Sequence, residues 1–350
     1  MGSARVALDV MGGDFAPEAL LQGALDACIS GPESAISHER VLLVGDQDRI
    51  ETVLAELGGN PGFEIEHASQ VIEMGESPSK ALRAKRDSSI ARSVRAVREG
   101  RAGACVSMGN TGACVGAATL MLGTLPKVHR PGIAVTLELT GSPVTLLDMG
   151  ANVVPKAQHL AQYGAMGSIY QRDCLGIEQP RVGLLNVGEE KGKGTDLLKE
   201  AFALLEADDL SFVGNVEGSD IFRNVCDVVV TDGFTGNVIL KLLEQFASFL
   251  LQKVTSELTA SGTQWGPESL GNVMRVIDYS TYGGALLLGV NGVVIIGHGR
   301  SDANAVKNAL WLACRALDTK VNEHIEQGLS EAPASQAAPS EAPQQTEGAS

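Results

Sequence analysis

From residue 4 onwards the chain alternates short, almost wholly apolar runs with longer segments in which apolar residues recur every three or four positions. The first pattern suits strands buried on both faces, and the second suits helices with one apolar side. Strands are predicted at Arg5 to Val10, Val41 to Gly45, Phe63 to His67, Ala104 to Met108, Gly132 to Leu137, Val144 to Leu147, Arg181 to Asn186, Asp227 to Thr231 and Val293 to Gly297. Their alternation with helices predicts an α/β fold, a mostly parallel sheet with helices on both faces. Pro126 and Pro131 interrupt the pattern, which leaves one continuous sheet and two lobes both open. Thr235 to Leu258 predicts a long helix with Ile239, Leu242, Leu243, Phe246, Phe249, Leu250 and Val254 on a broad apolar face. Such a face calls for core, a dimer interface, or contact with lipid or an acyl chain. After Gly328 the chain turns to Ala, Pro, Ser, Gln and Glu, which cannot bury enough apolar surface to order themselves. A single domain over residues 1–328 and a disordered tail over 329–350 are expected.

Composition narrows the class. With 44% hydrophobic and 20% charged residues, the chain has a globular balance. The formal charge of -15 makes the average surface repel nucleic acid, so no nucleic-acid partner is expected and an anionic substrate needs a local basic site. No run of about 18 apolar residues is apparent, and the start leads directly into a strand pattern, so a cytoplasmic location is expected. Cys28, Cys105, Cys114, Cys174, Cys226 and Cys314 are scattered without a CxxC pair and read as reduced, buried thiols. His38, His67, His129, His159, His298 and His324 show no metal-ligand spacing, so no metal is expected. Gly12-Gly13-Asp14 stands where a dinucleotide fingerprint would follow the first strand, and neither a P-loop nor a GxSxG elbow occurs. No cofactor is expected.

Four segments repeat one design of apolar strand, glycine-containing polar turn and helix. They are Val6-Ala-Leu-Asp-Val-Met-Gly-Gly-Asp14, Cys105-Val-Ser-Met-Gly-Asn-Thr-Gly112, Val228-Val-Val-Thr-Asp-Gly-Phe-Thr-Gly-Asn237 and Val293-Val-Ile-Ile-Gly-His-Gly-Arg-Ser301. In a parallel sheet such turns gather at the carboxyl ends of the strands, where backbone N–H groups can cradle an anion. The expectation is therefore a single anion site built by all four at one edge. Gly188-Glu-Glu-Lys-Gly-Lys-Gly-Thr195 adds a lysine-bearing turn before a helix that Thr195 can cap; a solvated charged loop is the alternative. Residues 80–101 concentrate Lys80, Arg83, Lys85, Arg86, Arg92, Arg95, Arg98 and Arg101 against only Asp87 and Glu99. This run is either a docking face for an acidic macromolecule or a face neutralised elsewhere in the fold.

Taken together these segments resemble the bacterial acyl-carrier-protein:phosphate acyltransferase family (PlsX) over nearly all of residues 4–327. The likeness rests on Leu8-Asp-Val-Met-Gly-Gly-Asp-Phe-Ala-Pro17, Glu76-Ser-Pro78 with Lys85-Arg-Asp-Ser-Ser89, Ser107-Met-Gly-Asn-Thr-Gly-Ala113, Leu147-Asp-Met-Gly-Ala-Asn152, Leu184-Leu-Asn-Val-Gly-Glu-Glu190 with Lys193-Gly194, Gly214-Asn-Val-Glu-Gly218, Thr231-Asp-Gly-Phe-Thr-Gly-Asn237, Tyr282-Gly-Gly-Ala285 and Gly297-His-Gly299. The resemblance implies a homodimer with the fold of isopropylmalate dehydrogenases and phosphate acetyltransferases. It also implies transfer of a long-chain acyl group from acyl-carrier protein to inorganic phosphate for phospholipid synthesis. A peripheral tie to the membrane, through the glycerol-3-phosphate acyltransferase that follows, is part of the same expectation. Leu242-Leu-Glu-Gln-Phe246 departs from the family, which often has glycine after that glutamate, and the tail is extra.

Phosphate is itself a nucleophile and a thiolate is a tolerable leaving group, so positioning and charge stabilisation suffice for this reaction. The expected roles are Lys193 and the N–H groups of Gly109 to Gly112 on phosphate or the oxyanion, and hydrogen bonds from Asn110, Thr111, Asn152, Asn215 and Asn237. Glu190 and Asp232 would orient Lys193 or neighbouring donors, and His298 would protonate the departing thiolate. Gly12, Gly13, Asp14, Ser107 and Gly233 would line the substrate site, while Lys80, Arg83, Arg86, Arg92 and Arg95 would dock the carrier. The alternatives are a short-chain phosphate acetyltransferase using coenzyme A, a nicotinamide-dependent hydroxy-acid dehydrogenase, and a non-catalytic scaffold for lipid synthesis.

Overall fold

The computed structural model describes residues 4–29, 35–138, 141–260 and 283–331. Its strands are β1 (Val6–Asp9), β2 (Val41–Gly45), β3 (Glu64–His67), β4 (Ala104–Ser107), β5 (Gly132–Glu138), β6 (Pro143–Leu147), β7 (Arg181–Leu185), β8 (Ser211–Val216), β9 (Val228–Val230), β10 (Ala285–Leu288) and β11 (Val293–Ile296). They join in one 11-stranded sheet, ordered β3-β2-β1-β4-β11-β10-β5-β6-β9-β7-β8. Two strands escape the sequence pattern. β8 alternates exposed and half-buried residues at the sheet edge, and β10 is a four-residue run closed in by Gly283-Gly284 and Gly289. Neither offers the apolar length that marks a buried strand.

Helices cover both faces, as the alternation predicts. On one face α1 (Glu18–Ile29), α2 (Gln47–Glu56), α6 (Ala157–Leu175), α7 (Asp196–Glu206), α9 (Ala303–Asp318) and α10 (Val321–Glu331) contribute to a core that includes Leu20, Ile50, Tyr163, Leu205, Leu310 and Ile325. On the other, α3 (Pro78–Ala84), α4 (Ser89–Arg98) and α5 (Thr111–Met121) bury Ala81, Ile90, Val94 and Ala117 against Cys105, Val135 and Val294. α10 runs to Glu331 with Leu329 buried, so order continues past the expected boundary at 328; residues 332–350 lie outside the described residues.

The sheet contains a reversal that decides where the turns point. β1, β2, β3, β4 and β11 are parallel. β10 is antiparallel to both β11 and β5, and β6 is antiparallel to β5. β9, β7 and β8 then run parallel with β6. The carboxyl ends of β1, β4 and β11 therefore meet at one edge, while those of β6, β9, β7 and β8 meet at the opposite edge. This overturns the expectation of one edge for all four turns: three gather, and the fourth, after β9, faces the other way.

The long helix α8 (Gly233–Ala260) departs from the core reading. Only Ile239, Leu240 and Leu243 lean on the sheet, whereas Phe234, Val238, Leu242, Phe246, Phe249 and Leu250 are exposed, Leu242 by 65%. By length and composition Gly233–Glu257 would also suffice to cross a membrane, which corrects the expectation that no segment is long and apolar enough.

Candidate active site

At the first edge the turns after β1 and β4 touch through backbone. A Cβ on Gly12 would lie 2.7 Å from the Gly109 nitrogen, so only glycine permits this approach. Gly13 has φ +103°, and Asp14 N–H donates to Gly299 O at 2.7 Å, which brings the β11 turn into the same cluster. Beneath them Asp9 is fully buried and accepts from Ser107 Oγ at 2.7 Å and Met11 N at 3.1 Å. Burial pushes the Asp9 carboxyl up against these hydrogen bonds. Ser107 Oγ in turn accepts the Gly109 N–H at 3.1 Å. Asn110 caps α5 through the Ala113 N–H, and its Nδ2 donates to the carbonyls of Glu73, Met74 and Glu76. The polar groups of Ser107 and Asn110 and the Gly109 N–H are thus hydrogen-bonded within the turn. Thr111 and Gly112 remain exposed at the start of α5. His298 is exposed at this edge, with Nδ1 accepting the Arg300 N–H at 3.1 Å.

At the second edge Asp148 organises the loop after β6. Its Oδ1 accepts N–H groups from Ile133, Gly150 and Ala151, and its Oδ2 accepts from Asn152 N at 2.7 Å. Burial nonetheless raises the Asp148 pKa. Asn152 Nδ2 donates to Pro131 O and to Tyr163 Oη at 2.7 Å, and the Gly233 N–H donates to Asn152 O. Asp232 caps α8, accepting from Thr235 N at 2.9 Å and Thr235 Oγ1 at 2.7 Å. Asn215 accepts from Asn186 Nδ2 and donates to Glu190 O, fixing the turn that carries Lys193. Asn152, Gly233, Asn215 and Asp232 are thus each hydrogen-bonded within the loops of this edge. Lys193 stands half-exposed with Nζ 3.9 Å from Glu190 Oε1, and Asn237 lies beside Gly150 at the start of α8.

The two edges cannot share one phosphate within a chain. β4 and β7 are separated by six strand spacings, roughly 29 Å at about 4.8 Å each, and their ends point in opposite directions. Within one chain Lys193 and the amides of Gly109 to Gly112 therefore stand apart.

The basic run is partly neutralised. Arg92 pairs with Asp87 at 2.5 Å and with Glu66 at 3.6 Å, while Arg101 pairs with Glu66 and Glu99. Arg95 donates to the carbonyl of Arg86. Lys80, Arg83 and Arg86 are exposed and make no ion pair among the described residues. Lys80 and Arg83 stand on α3 and Arg86 just after it, and α3 packs beside the first edge, where Pro78 meets Gly112. The thiols are poor nucleophiles: burial pushes Cys226 up to about 12, and Cys174 and Cys314 up to about 11. Among the described residues no three His, Cys, Asp or Glu side chains group as a metal site would require.

The sequence reading missed Arg130, Lys156, His129 and His159, which flank the Asn152 loop. His129 and Arg130 lie in the irregular segment before β5, and Lys156 and His159 at the start of α6, and neither place carries a motif. Burial, followed by the positive neighbours His129, Arg130 and Lys156, pulls His159 down to about 4.

Residues 4–324 match the model of a family described as fatty acid synthesis protein. A phosphate acyltransferase of Nitratidesulfovibrio vulgaris is 43% identical over 340 residues, 94% of this chain and 96% of its own length. The chain belongs to this family. A phosphate acyltransferase of Heliobacterium modesticaldum is 45% identical over 332 residues, covering 92% of this chain and 97% of that one. Among solved structures, a phosphotransacetylase from Streptococcus pyogenes superposes with a TM-score of 0.61 at 17% identity, covering 91% of this chain and 95% of its own. A 4-hydroxythreonine-4-phosphate dehydrogenase from Klebsiella pneumoniae gives 0.50 at 14% identity, covering 93% and 100%. At such identities the likeness is one of fold, and it agrees with the mostly parallel α/β architecture.

Proposed function

We propose that this family member transfers a long-chain fatty acyl group from acyl-carrier protein to inorganic phosphate, yielding acyl phosphate for phospholipid synthesis. The observation that carries this reading is the match along more than nine-tenths of the chain to relatives named phosphate acyltransferase. The raised thiol pKa values support a reaction without an acylated cysteine. A phosphate oxygen attacks the thioester carbonyl carbon, the carbon–sulfur bond breaks, and the thiolate leaves to be protonated. Lys193, oriented by Glu190, is assigned to the phosphate at the second edge, with Asn237 beside it and Asp232 holding the start of α8. Gly12, Gly13, Asp14, Thr111, Gly112 and His298 are assigned to the acyl donor at the first edge, next to the basic groups Lys80, Arg83 and Arg86 that dock the carrier. A homodimer that brings the two edges of different copies together belongs to this reading. So does peripheral attachment to the membrane and its glycerol-3-phosphate acyltransferase through the exposed stripe of α8.

The test is acyl-phosphate formation from long-chain acyl carrier and phosphate, trapped with hydroxylamine. Wild-type protein is expected to yield hydroxamate, and Lys193→Ala to lose about 100- to 1,000-fold in turnover, as removal of one charge-stabilising donor does. A folded Lys193→Ala protein with full turnover removes the lysine from the mechanism. Activity only with short-chain coenzyme A thioesters would replace the donor.

A further inference from the structure

Beside the second edge stands a group of cationic side chains with no part in the assignments above. Residues 127–131 are pinned along the start of α6: the His129 N–H donates to Gln162 Oε1 at 3.0 Å, Gln162 Nε2 donates to Lys127 O at 2.8 Å, and Pro131 O accepts from Asn152. This sets the His129 and His159 rings 6.0 Å apart, with Lys156 giving its N–H to His159 Nδ1 at 3.1 Å. Arg130 and Lys156 are exposed, and among the described residues neither makes an ion pair. Some arginines of this acidic chain are matched, as Arg40 is by Asp318, Arg101 by Glu66 and Arg181 by Asp227, and, among the described residues, others such as Arg83 and Arg86 are not. Two unmatched cations held on one corner by a pinned backbone keep their field for a ligand. From Lys156 a depression of about 360 Å³ extends to Leu197 and Glu200 on α7, the helix that begins right after the Lys193 turn. Glu200 makes the far wall acidic, so the Lys156 side is the electropositive one.

We propose that Arg130 and Lys156 form a seat for a phosphate group at this corner, with Lys193 on the α7 side. The planar guanidinium can grip two phosphate oxygens at once while the ammonium acts as a point charge. The inference rests on the acyl-transfer reading for the source of the phosphate, which is either free inorganic phosphate or a phosphate carried by the acyl donor.

Full-length protein is titrated with inorganic phosphate in the absence of donor while Tm is followed, and hydroxamate formation is then measured with phosphate and donor varied in turn. Arg130→Ala and Lys156→Ala are each expected to weaken the phosphate-dependent rise in Tm and to raise the KM for phosphate about 10-fold or more, as loss of a charge-assisted hydrogen bond does. kcat is expected to change far less. Arg130→Lys should recover only part of the loss, and Lys320→Ala, on a cation paired with Glu323, should match wild type. A raised KM for donor with an unchanged KM for phosphate assigns the seat to a phosphate on the donor. Folded variants with wild-type KM values for both substrates and a wild-type Tm response overturn the seat. Wild-type protein that is stabilised by phosphate through Arg130 but makes no hydroxamate keeps the seat and overturns the reaction.

Discussion

Short polar side chains at the ends of strands are ambiguous, because the same carboxamide that can bind a ligand can also satisfy the unpaired N–H groups of a turn. Here Asn110, Asn152 and Asn215 all bond to backbone groups of their loops, a use that the motifs alone do not reveal. His159 shows the converse, a residue without a motif whose surroundings set its charge. Its pKa, lowered from 6.5 to about 4, means that the unfolded chain takes up this proton first as pH falls. The stability contributed by the neutral ring is complete above about 6.5 and is lost between there and about 4. Urea midpoints measured from pH 7 down to pH 4.5, values chosen to bracket that window, should fall more steeply for wild type than for His159→Gln. Equal slopes would show that the imidazole is not held neutral.

At the scale of elements, helical spacing located α8 and the charge run located the basic segment, but neither showed what faces them. The carboxylates that neutralise Arg92 come from Asp87 beside α4 and from Glu66 on β3, and the latter is distant in sequence. Asp87 is held down at about 2, chiefly by hydrogen bonds from Ser69 and then by Arg92. The basic run therefore divides into a structural part and a free part. Reversing Arg83 and Arg86 to Glu is expected to raise the KM for acyl carrier about 10-fold at low salt and to flatten its ionic-strength dependence. Arg92→Glu is expected instead to lower Tm with little change in that dependence. Equal effects of the two changes on the salt dependence would count against a docking face at Arg83 and Arg86. For α8, periodicity predicted a broad apolar side, and the fold leaves a large share of it uncovered in the single chain.

At the scale of the molecule, the reversal across β10 and β5 separates two loop clusters that the strand–turn–helix pattern merges. If two copies complete one site, Lys193→Ala and Thr111→Glu should each be strongly impaired alone and recover about a quarter of wild-type turnover when co-expressed, because half the dimers are mixed and each mixed dimer has one intact site. No recovery would place both edges in service of the same chain. The apolar runs and turn residues of the sequence determined the α/β class, most strands and every glycine loop, since these depend on neighbours within a few positions. Strand direction, the commitment of the asparagines and the unmatched state of Arg130 and Lys156 depend on partners far away in the chain. Only the assembled sheet brings those partners together, and so only the tertiary structure decided them.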